Sequence, residues 1–524
     1  MITLTNISKK VGSRLLFENI NVSFNPGKHY GLTGPNGSGK STLMKIMMGK
    51  EEANEGTVSL PRKVGFLEQN IEKFKDQDVI STVIMGNRRL WEALQERDSL
   101  YTQEINDAMG IRLGELEEII AEENGYSAES EAEELLTGMG IASSLHSKKM
   151  HEIPSDSQFR ALLCQALFGE PDALLLDEPT NHLDMESIGW LEQFLVNYKG
   201  VLIVISHDRH FLNTVTTHIA DIDYETVIIY TGNYDQMVIA KTSVRTRAEE
   251  ENKSKDKKIS QLQEFVSRFG AGTRASQVQS RIREINRLQP LELKKSNIQR
   301  PYIRFYPPEK PSGQMVIQAE SVSKSYGSHS VISNFSLEIL RGEKIGVIGN
   351  NGRGKSTLLK MLAAALKQDS GKLELGHQVQ LGYFPQNHSD IIDKKKNLTI
   401  FDWLKTQKEG VYDQDVRSVL GKMLFGGDDA FKPVAHLSGG ETARLIFAGM
   451  MLCNYNFLIL DEPNNHLDLE AVAALSWALE DFKGTVIMAS HDRVLLDEVA
   501  TKIVAFEEDG IHIFKGPLEE YLTS

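Results

Sequence analysis

The sequence predicts two α/β domains of one design, set in tandem and joined by an α-helical hairpin. Three observations predict it. A glycine-rich segment occurs twice, 315 positions apart, and two further motifs recur 284 positions apart. Short apolar, β-branched runs precede these motifs in both halves, as buried parallel strands do. Between the halves the charge changes sign. Residues 241–312 hold 17 Lys and Arg against 8 Asp and Glu, a net +9 in a chain whose total is −14. A duplicated domain with one insertion in its first copy explains all the offsets.

Composition narrows the class. A chain of 524 residues has room for two to four domains of ~150 residues each. Its 40% apolar and 25% charged content is ordinary for a globular protein. No apolar run approaches the ~18–20 residues of a membrane span; Val201–Ile205 is strand-sized. Cys164 and Cys453 are the only cysteines, which excludes a disulfide scaffold, a cysteine-rich zinc module and a cysteine-ligated iron–sulfur cluster. Met1-Ile2-Thr3-Leu4-Thr5 lacks the basic-then-apolar pattern of a signal peptide. A reduced, cytoplasmic setting is expected.

The first domain is assigned to residues 1–240. Lys28–Thr33 reads as a strand that enters Gly34-Pro35-Asn36-Gly37-Ser38-Gly39-Lys40-Ser41-Thr42, with a helix from Lys40. The glycines let backbone N–H groups converge on phosphate, and the helix N-terminus adds its dipole. Lys40 is placed to reach the β- and γ-phosphates and Ser41 to ligate Mg²⁺. Gln69 follows a second short apolar strand. The first half carries about thirty extra residues relative to the second, within the stretch of about 80–137. Leu90, Leu94 and Tyr101 share one helical face, and Leu113, Leu116 and Ile120 share another, with Gly110 and Gly125 as interruptions. This insertion reads as an acid-rich helical arm. Ala173–Asp177 and Val201–Ser206 read as buried strands. Asp177 ends the first, the position from which a carboxylate holds Mg²⁺ through water. Glu178 follows and can polarise an attacking water. His207 ends the second strand, within reach of a γ-phosphate. A lone histidine there is more often structural, but Ser206-His207-Asp208-Arg209 returns as Ser490-His491-Asp492-Arg493.

The segment 241–312 carries two helical patterns, Leu262, Phe265, Val266 and Phe269, then Val278, Ile282, Ile285 and Leu288. Gly270-Ala271-Gly272-Thr273 breaks them, so an antiparallel helix pair with a tight tip is expected. A charge run is commonly a solvated linker. The reversal of sign against the rest of the chain favours a nucleic-acid contact.

The second domain is assigned to residues 313–524. Its phosphate loop is Gly349-Asn350-Asn351-Gly352-Arg353-Gly354-Lys355-Ser356-Thr357, with Gln386, Asp461, Glu462 and His491 in the matching places. Phe457–Asp461 and Thr485–Ser490 read as its buried strands. Leu437-Ser438-Gly439-Gly440-Glu441 precedes an apolar helical run. Small residues and a hydroxyl at a helix N-terminus suit a third phosphate contact.

With Asp177-Glu178-Pro179-Thr180-Asn181-His182-Leu183-Asp184 and Asp461-Glu462-Pro463-Asn464-Asn465-His466-Leu467-Asp468, the chain resembles ATP-binding-cassette (ABC) proteins of the ABC-F subfamily, in its bacterial YbiT-like branch. The resemblance covers nearly the whole chain. It implies two P-loop ABC-type ATPase domains, with two ATPs and Mg²⁺ sandwiched head to tail in a monomer. Site one would comprise Gly34–Thr42, Gln69, Asp177, Glu178 and His207, closed by Ser438, Gly439 and Gly440. Site two would comprise Gly349–Thr357, Gln386, Asp461, Glu462 and His491, closed by the first-half signature. Ser41, Gln69 and Asp177 would ligate one Mg²⁺, and Ser356, Gln386 and Asp461 the other. Aligned through Arg160 and Arg444, the first signature reads Ile153-Pro154-Ser155-Asp156-Ser157, without the serine or either glycine. Tyr326 would stack on adenine in site two, where site one has Val11. The sites are therefore expected to be unequal, site one the faster in hydrolysis and weaker in its adenine grip. The resemblance further implies binding to the 70S ribosome, its rRNA and P-site tRNA, with no stable membrane association. Arg268, Arg274, Arg281, Arg283 and Arg287 become candidates for RNA contact near the peptidyl-transferase centre. The alternative, the ATPase subunit of a transporter with two fused cassettes, does not account for the +9 linker or the paired Asn-His-Leu-Asp motifs.

Overall fold

The computed structural model describes residues 1–524 except Ser13, Asn36, Gln69, 103–106, His182, 242–258, Gln261, 263–299, Ser328, His466, Glu508 and Ser524. Each half holds a six-stranded and a three-stranded sheet. The larger sheet of the first half runs Val64–Phe66, Ala173–Asp177, Val201–Ile205, His29–Thr33, His218–Asp223, Thr226–Thr231. Only its last strand is antiparallel. The second half repeats the order as Leu381–Phe384, Phe457–Asp461, Thr485–Ala489, Lys344–Gly349, Lys502–Phe506, Ile511–Phe514.

The continuous apolar runs have a direct cause. Leu174, Leu176, Leu202 and Val204 enter a core shared with helices on one side of the sheet. Ala173, Leu175, Val201 and Ile203 enter a second core on the other side. Alternate strand residues face opposite ways, and both faces are covered, so every position must be apolar. The second core is roofed by the smaller antiparallel sheet, in which Ile2–Val11 lies between Arg14–Phe24 and Glu55–Ser59. Its counterpart sets Met315–Tyr326 between His329–Leu340 and Ser370–Leu375.

This strand order assembles the candidate site. His29–Thr33, Val201–Ile205 and Ala173–Asp177 are successive neighbours, so the phosphate loop, His207 and Glu178 leave adjacent carboxyl ends. Open α/β sheets bind ligands at that edge.

The arm contains two long helices, Arg88–Tyr101 and Asp107–Glu122, with Leu90, Leu116 and Ile120 fully buried. Gly125 separates the hairpin from the next helix, Ala128–Gly138, as expected. Gly110 does not interrupt; it lies inside Asp107–Glu122. A helical glycine costs about 1 kcal/mol. Burial of Leu116 and Ile120, with Arg112 bridging to Glu96 of the facing helix at 2.6 and 2.7 Å, offsets that cost.

The described ends of the central segment are both anchored. Lys241 pairs with buried Asp221 and Asp223 of the first sheet, at 2.5 and 2.7 Å. At the far end, Arg300 lies 3.9 Å over the Trp477 ring and Arg304 pairs with Asp481 at 2.9 Å. Phe305 is buried against Phe447 and Phe482 of the second half. The expected helix pair, with Arg268, Arg274, Arg281, Arg283 and Arg287, lies outside the described residues apart from Ile259, Ser260 and Leu262.

Candidate active site

The two phosphate loops fold alike. Gly39 and Gly354 cap the helices Lys40–Met47 and Lys355–Leu362 at φ +99° and +109°. Side chains rarely adopt that conformation, which is why glycine precedes lysine in both copies. Each lysine curls back over its own loop. Lys40 Nζ donates to the Gly34 and Pro35 carbonyls at 2.6 and 3.2 Å, and Lys355 Nζ to those of Gly349 and Asn350 at the same distances. Burial draws both ammonium groups below the usual lysine range, opposed by surrounding carboxylates.

Those carboxylates stand at the strand ends. Ser356 Oγ donates to Asp461 Oδ1 at 3.1 Å, and Asp461 Oδ2 is buried with no hydrogen-bond partner. Burial raises Asp177, and the neighbouring Ser41 hydroxyl counters that rise. Hard divalent cations are held by such oxygen pairs, so the residues fit Mg²⁺. Glu178 and Glu462 follow at φ +52° and +50°, a strained conformation for a residue with a side chain. Burial pushes Glu178 up to about 7, with Asp177 adding to the effect. Burial likewise lifts Glu462 to about 8, against the pull of Lys355. His207 Nε2 lies 3.2 Å from Glu178 Oε1, and His491 Nε2 lies 3.4 Å from Glu462 Oε1. His491 Nε2 also meets Asn351 Oδ1 at 3.0 Å, and burial pushes this imidazole down to about 3, leaving it neutral at pH 7. Each glutamate is thus clamped beside a histidine and an aspartate at the mouth of a phosphate loop.

The halves meet across these sites. Asn350 Nδ2 donates to Glu186 at 3.4 Å, and Arg493 donates to the Met185 carbonyl at 3.2 Å. Asp468 is the foremost carboxylate opposing the loss of charge on Lys40, and Asp184 and Asp156 act on Lys355. Each phosphate-loop lysine therefore sits in the field of carboxylates from the opposite half. One cavity of about 910 Å³ joins the sites. Its wall brings Gly37, Glu178 and His207 together with Ser438, Gly439, Gly440 and Glu441. It also includes Tyr326, Asn351, Gly352, Gly354, Lys355, Ser356, Thr357, Gln386, Glu462 and His491. Gly34, Pro35, Ser38, Gly39, Lys40, Ser41, Thr42, Asp177, Gly349, Asn350, Arg353 and Asp461 belong to the same loops and strand ends without lining it. Asn36 and Gln69 lie outside the described residues. The cavity also exposes Arg444, the anchor of the signature alignment, and Arg14, which no motif had marked.

Residues 17–181 and 332–465 match the ABC transporter family model, and residues 220–305 match a second model also described as ABC transporter. Probable ATP-binding protein YbiT of Escherichia coli O157:H7 is 44% identical over 529 residues, covering 100% of this chain and 99% of that one. The energy-dependent translational throttle protein EttA of Escherichia coli (strain K12) is 34% identical over 531 residues, covering 99% and 94%. The chain belongs to the ABC-F family. The crystal structure of archaeal ribosome recycling factor aABCE1 with ribosomal stalk protein aP1 shares the fold. Its TM-score is 0.61 at 18% identity, over 99% of this chain and 92% of that one. This ABC-F chain is a tandem-cassette ATP hydrolase. Among its described residues no helix is long and apolar enough to cross a membrane.

The two signatures of this ABC-F protein differ physically. Ser438 caps the helix Gly439–Cys453 with a reciprocal box: its Oγ accepts from Glu441 N–H at 3.3 Å, and Glu441 accepts from Ser438 N–H at 2.8 Å. Pro154 stands at the same place before Ser155–Leu167, and no side chain caps that helix. Asp156 in its first turn reaches the shared cavity, among the carboxylates near Lys355.

A carboxylate pair, Asp492 buried and Asp208 half-buried, adds a pH dependence to this junction. Asp208 and Asp492 cap the helices Arg209–Val215 and Arg493–Val499, each accepting from a backbone N–H at 3.0 Å. Burial, then the charge of Asp208, raises Asp492 to about 7. A raised carboxylate favours the folded state at low pH, and this contribution is lost as pH rises toward 7. Asp492→Asn keeps a capping oxygen and removes the charge. It is expected to raise the melting temperature at pH 8 by about 2–6 °C, with the gain shrinking by pH 5. Calorimetry at both pH values checks this; an equal gain at both would contradict it.

Proposed function

We propose that this ABC-F protein is a ribosome-associated translation factor whose cassettes close on ATP and thereby position the basic segment 241–312 near P-site tRNA. The cavity shared by both phosphate loops carries the reading, because its wall needs both halves at once. A triphosphate bridging them favours the closed pair, and loss of the γ-phosphate removes the bridge. The relatives' names, a translational throttle and a ribosome recycling factor, support a ribosomal partner.

In this reading Lys40 and Lys355 hold the β- and γ-phosphates, while the loop N–H groups cradle them. Ser41 with Asp177 and Gln69, and Ser356 with Asp461 and Gln386, would hold Mg²⁺, which neutralises phosphate charge when bound. Glu178 and Glu462 orient and polarise the attacking water. His207 and His491 steady those carboxylates and face the γ-phosphate. Ser438, Gly439 and Gly440 cover the phosphates of site one from the opposite half. Both ends of the linker are anchored on separate cassettes, so closure redirects it.

The Glu178→Gln/Glu462→Gln protein, sedimented from lysate with ATP, is expected to run with ribosomes. Recovery with membranes would instead favour a transporter subunit. Reversing Arg268, Arg274, Arg281, Arg283 and Arg287 to Glu should abolish cosedimentation. If these five meet RNA phosphates, affinity falls roughly a hundredfold between 50 and 200 mM salt. Cosedimentation that ignores both the reversal and the salt would refute the RNA contact.

A further inference from the structure

The second site has an aromatic ring for adenine and the first has Val11, which is half exposed at the end of its strand. Another side chain stands beside that place. Val11 and Arg14 are directly paired across the tight turn between the first two strands, as Tyr326 and His329 are in the second half. Arg14 lines the shared cavity. Its guanidinium rests on the tip of the first phosphate loop. A Cβ built on Gly37 would lie 3.4, 3.7 and 3.9 Å from Nη1, Nη2 and Cζ of Arg14. The equivalent Gly352 has nothing within 4 Å of that point. Two residues on, and so on the same face of the strand, Leu16 comes 3.3 Å from a Cβ built on Gly39. Arg14 and Leu16 thus form one wall along the first phosphate loop. Among the described residues no carboxylate pairs with Arg14, so its planar face stays available.

We propose that Arg14 grips the purine of ATP in the first site, its guanidinium stacking on the base where the second site uses Tyr326. A guanidinium is planar and weakly hydrated, and it stacks on aromatic faces as an ammonium does not. The first site exchanges an aromatic platform for a cationic one and keeps its hold on the base. The inference rests on the reading that Gly34–Thr42 binds ATP, and it adds the residue that recognises the nucleoside.

The test uses the full chain with Lys355→Ala and Glu178→Gln, so that ATP loads the first site and is not cleaved. Calorimetric titration with ATP, and separately with inorganic triphosphate, is compared for Arg14, Arg14→Ala, Arg14→Lys and Arg14→Tyr. Arg14 is exposed, so these variants keep the fold. Arg14→Ala is expected to weaken ATP by roughly three- to thirtyfold and leave triphosphate unchanged. Arg14→Lys should recover little and Arg14→Tyr most of the affinity. Unchanged ATP affinity in Arg14→Ala, with binding still lost in Lys40→Ala, overturns the role of Arg14 while the site itself stands. An equal loss for triphosphate overturns base stacking. Binding that survives Lys40→Ala overturns both this inference and the ATP reading of the loop.

Discussion

Replacing Glu178 and Glu462 together by Gln is expected to cut ATP turnover at least a hundredfold while leaving ATP binding intact. Glu462 is buried and Glu178 half-buried; both face a histidine and are held in a strained left-handed conformation that places them at the phosphate-loop mouth. Gln preserves shape and removes the group that, in the proposed reading, accepts the proton of the attacking water. General-base catalysis of this kind contributes about 10²–10⁴-fold. Phosphate release in single-turnover conditions measures the loss, and filter retention of labelled ATP measures binding. A loss below tenfold would show that neither glutamate acts as the base.

The single substitutions should be unequal. Glu178→Gln is expected to remove most of the steady-state turnover, on the order of tenfold, and Glu462→Gln less than about twofold. In the proposed reading the capped Ser438 helix closes site one, and donors placed at developing phosphate charge commonly supply large rate factors. In the same reading site two is closed by Pro154, which has neither hydroxyl nor N–H, and by Asp156. That carboxylate shares the field of Lys355 and repels a γ-phosphate brought to the same lysine. Restoring the sequence with Pro154→Ser, Ser155→Gly and Asp156→Gly in a Glu178→Gln background should recover turnover at site two. Equal losses for the two single variants, or no recovery on repair, would contradict the asymmetry.

Much of this is legible in the sequence. The phosphate loops, the Asp-Glu pairs and the strands ahead of them are short contiguous motifs, and repetition at fixed offsets reveals them. Continuous apolar runs such as Ala173–Asp177 announce strands buried on both faces, which the two separate cores explain. What depends on distant pairing was not readable. The three-stranded sheets have ordinary mixed patterns, and strand order follows from long-range registers. Arg14 gains its meaning only because the turn at Gly12 sets it opposite Val11 and the loop fold brings Gly37 beneath it. Its signal, a cation three residues after a missing aromatic, is too slight to single out alone. Gly110 misled for the opposite reason. Local propensity argued for a break, and packing across the arm overrode it.

Small-angle X-ray scattering of the Glu178→Gln/Glu462→Gln protein, recorded with and without ATP and Mg²⁺, asks whether nucleotide joins the cassettes. Nucleotide binding between the halves predicts a smaller radius of gyration with ATP, reversed by ADP. An identical scattering curve in all three conditions would contradict it.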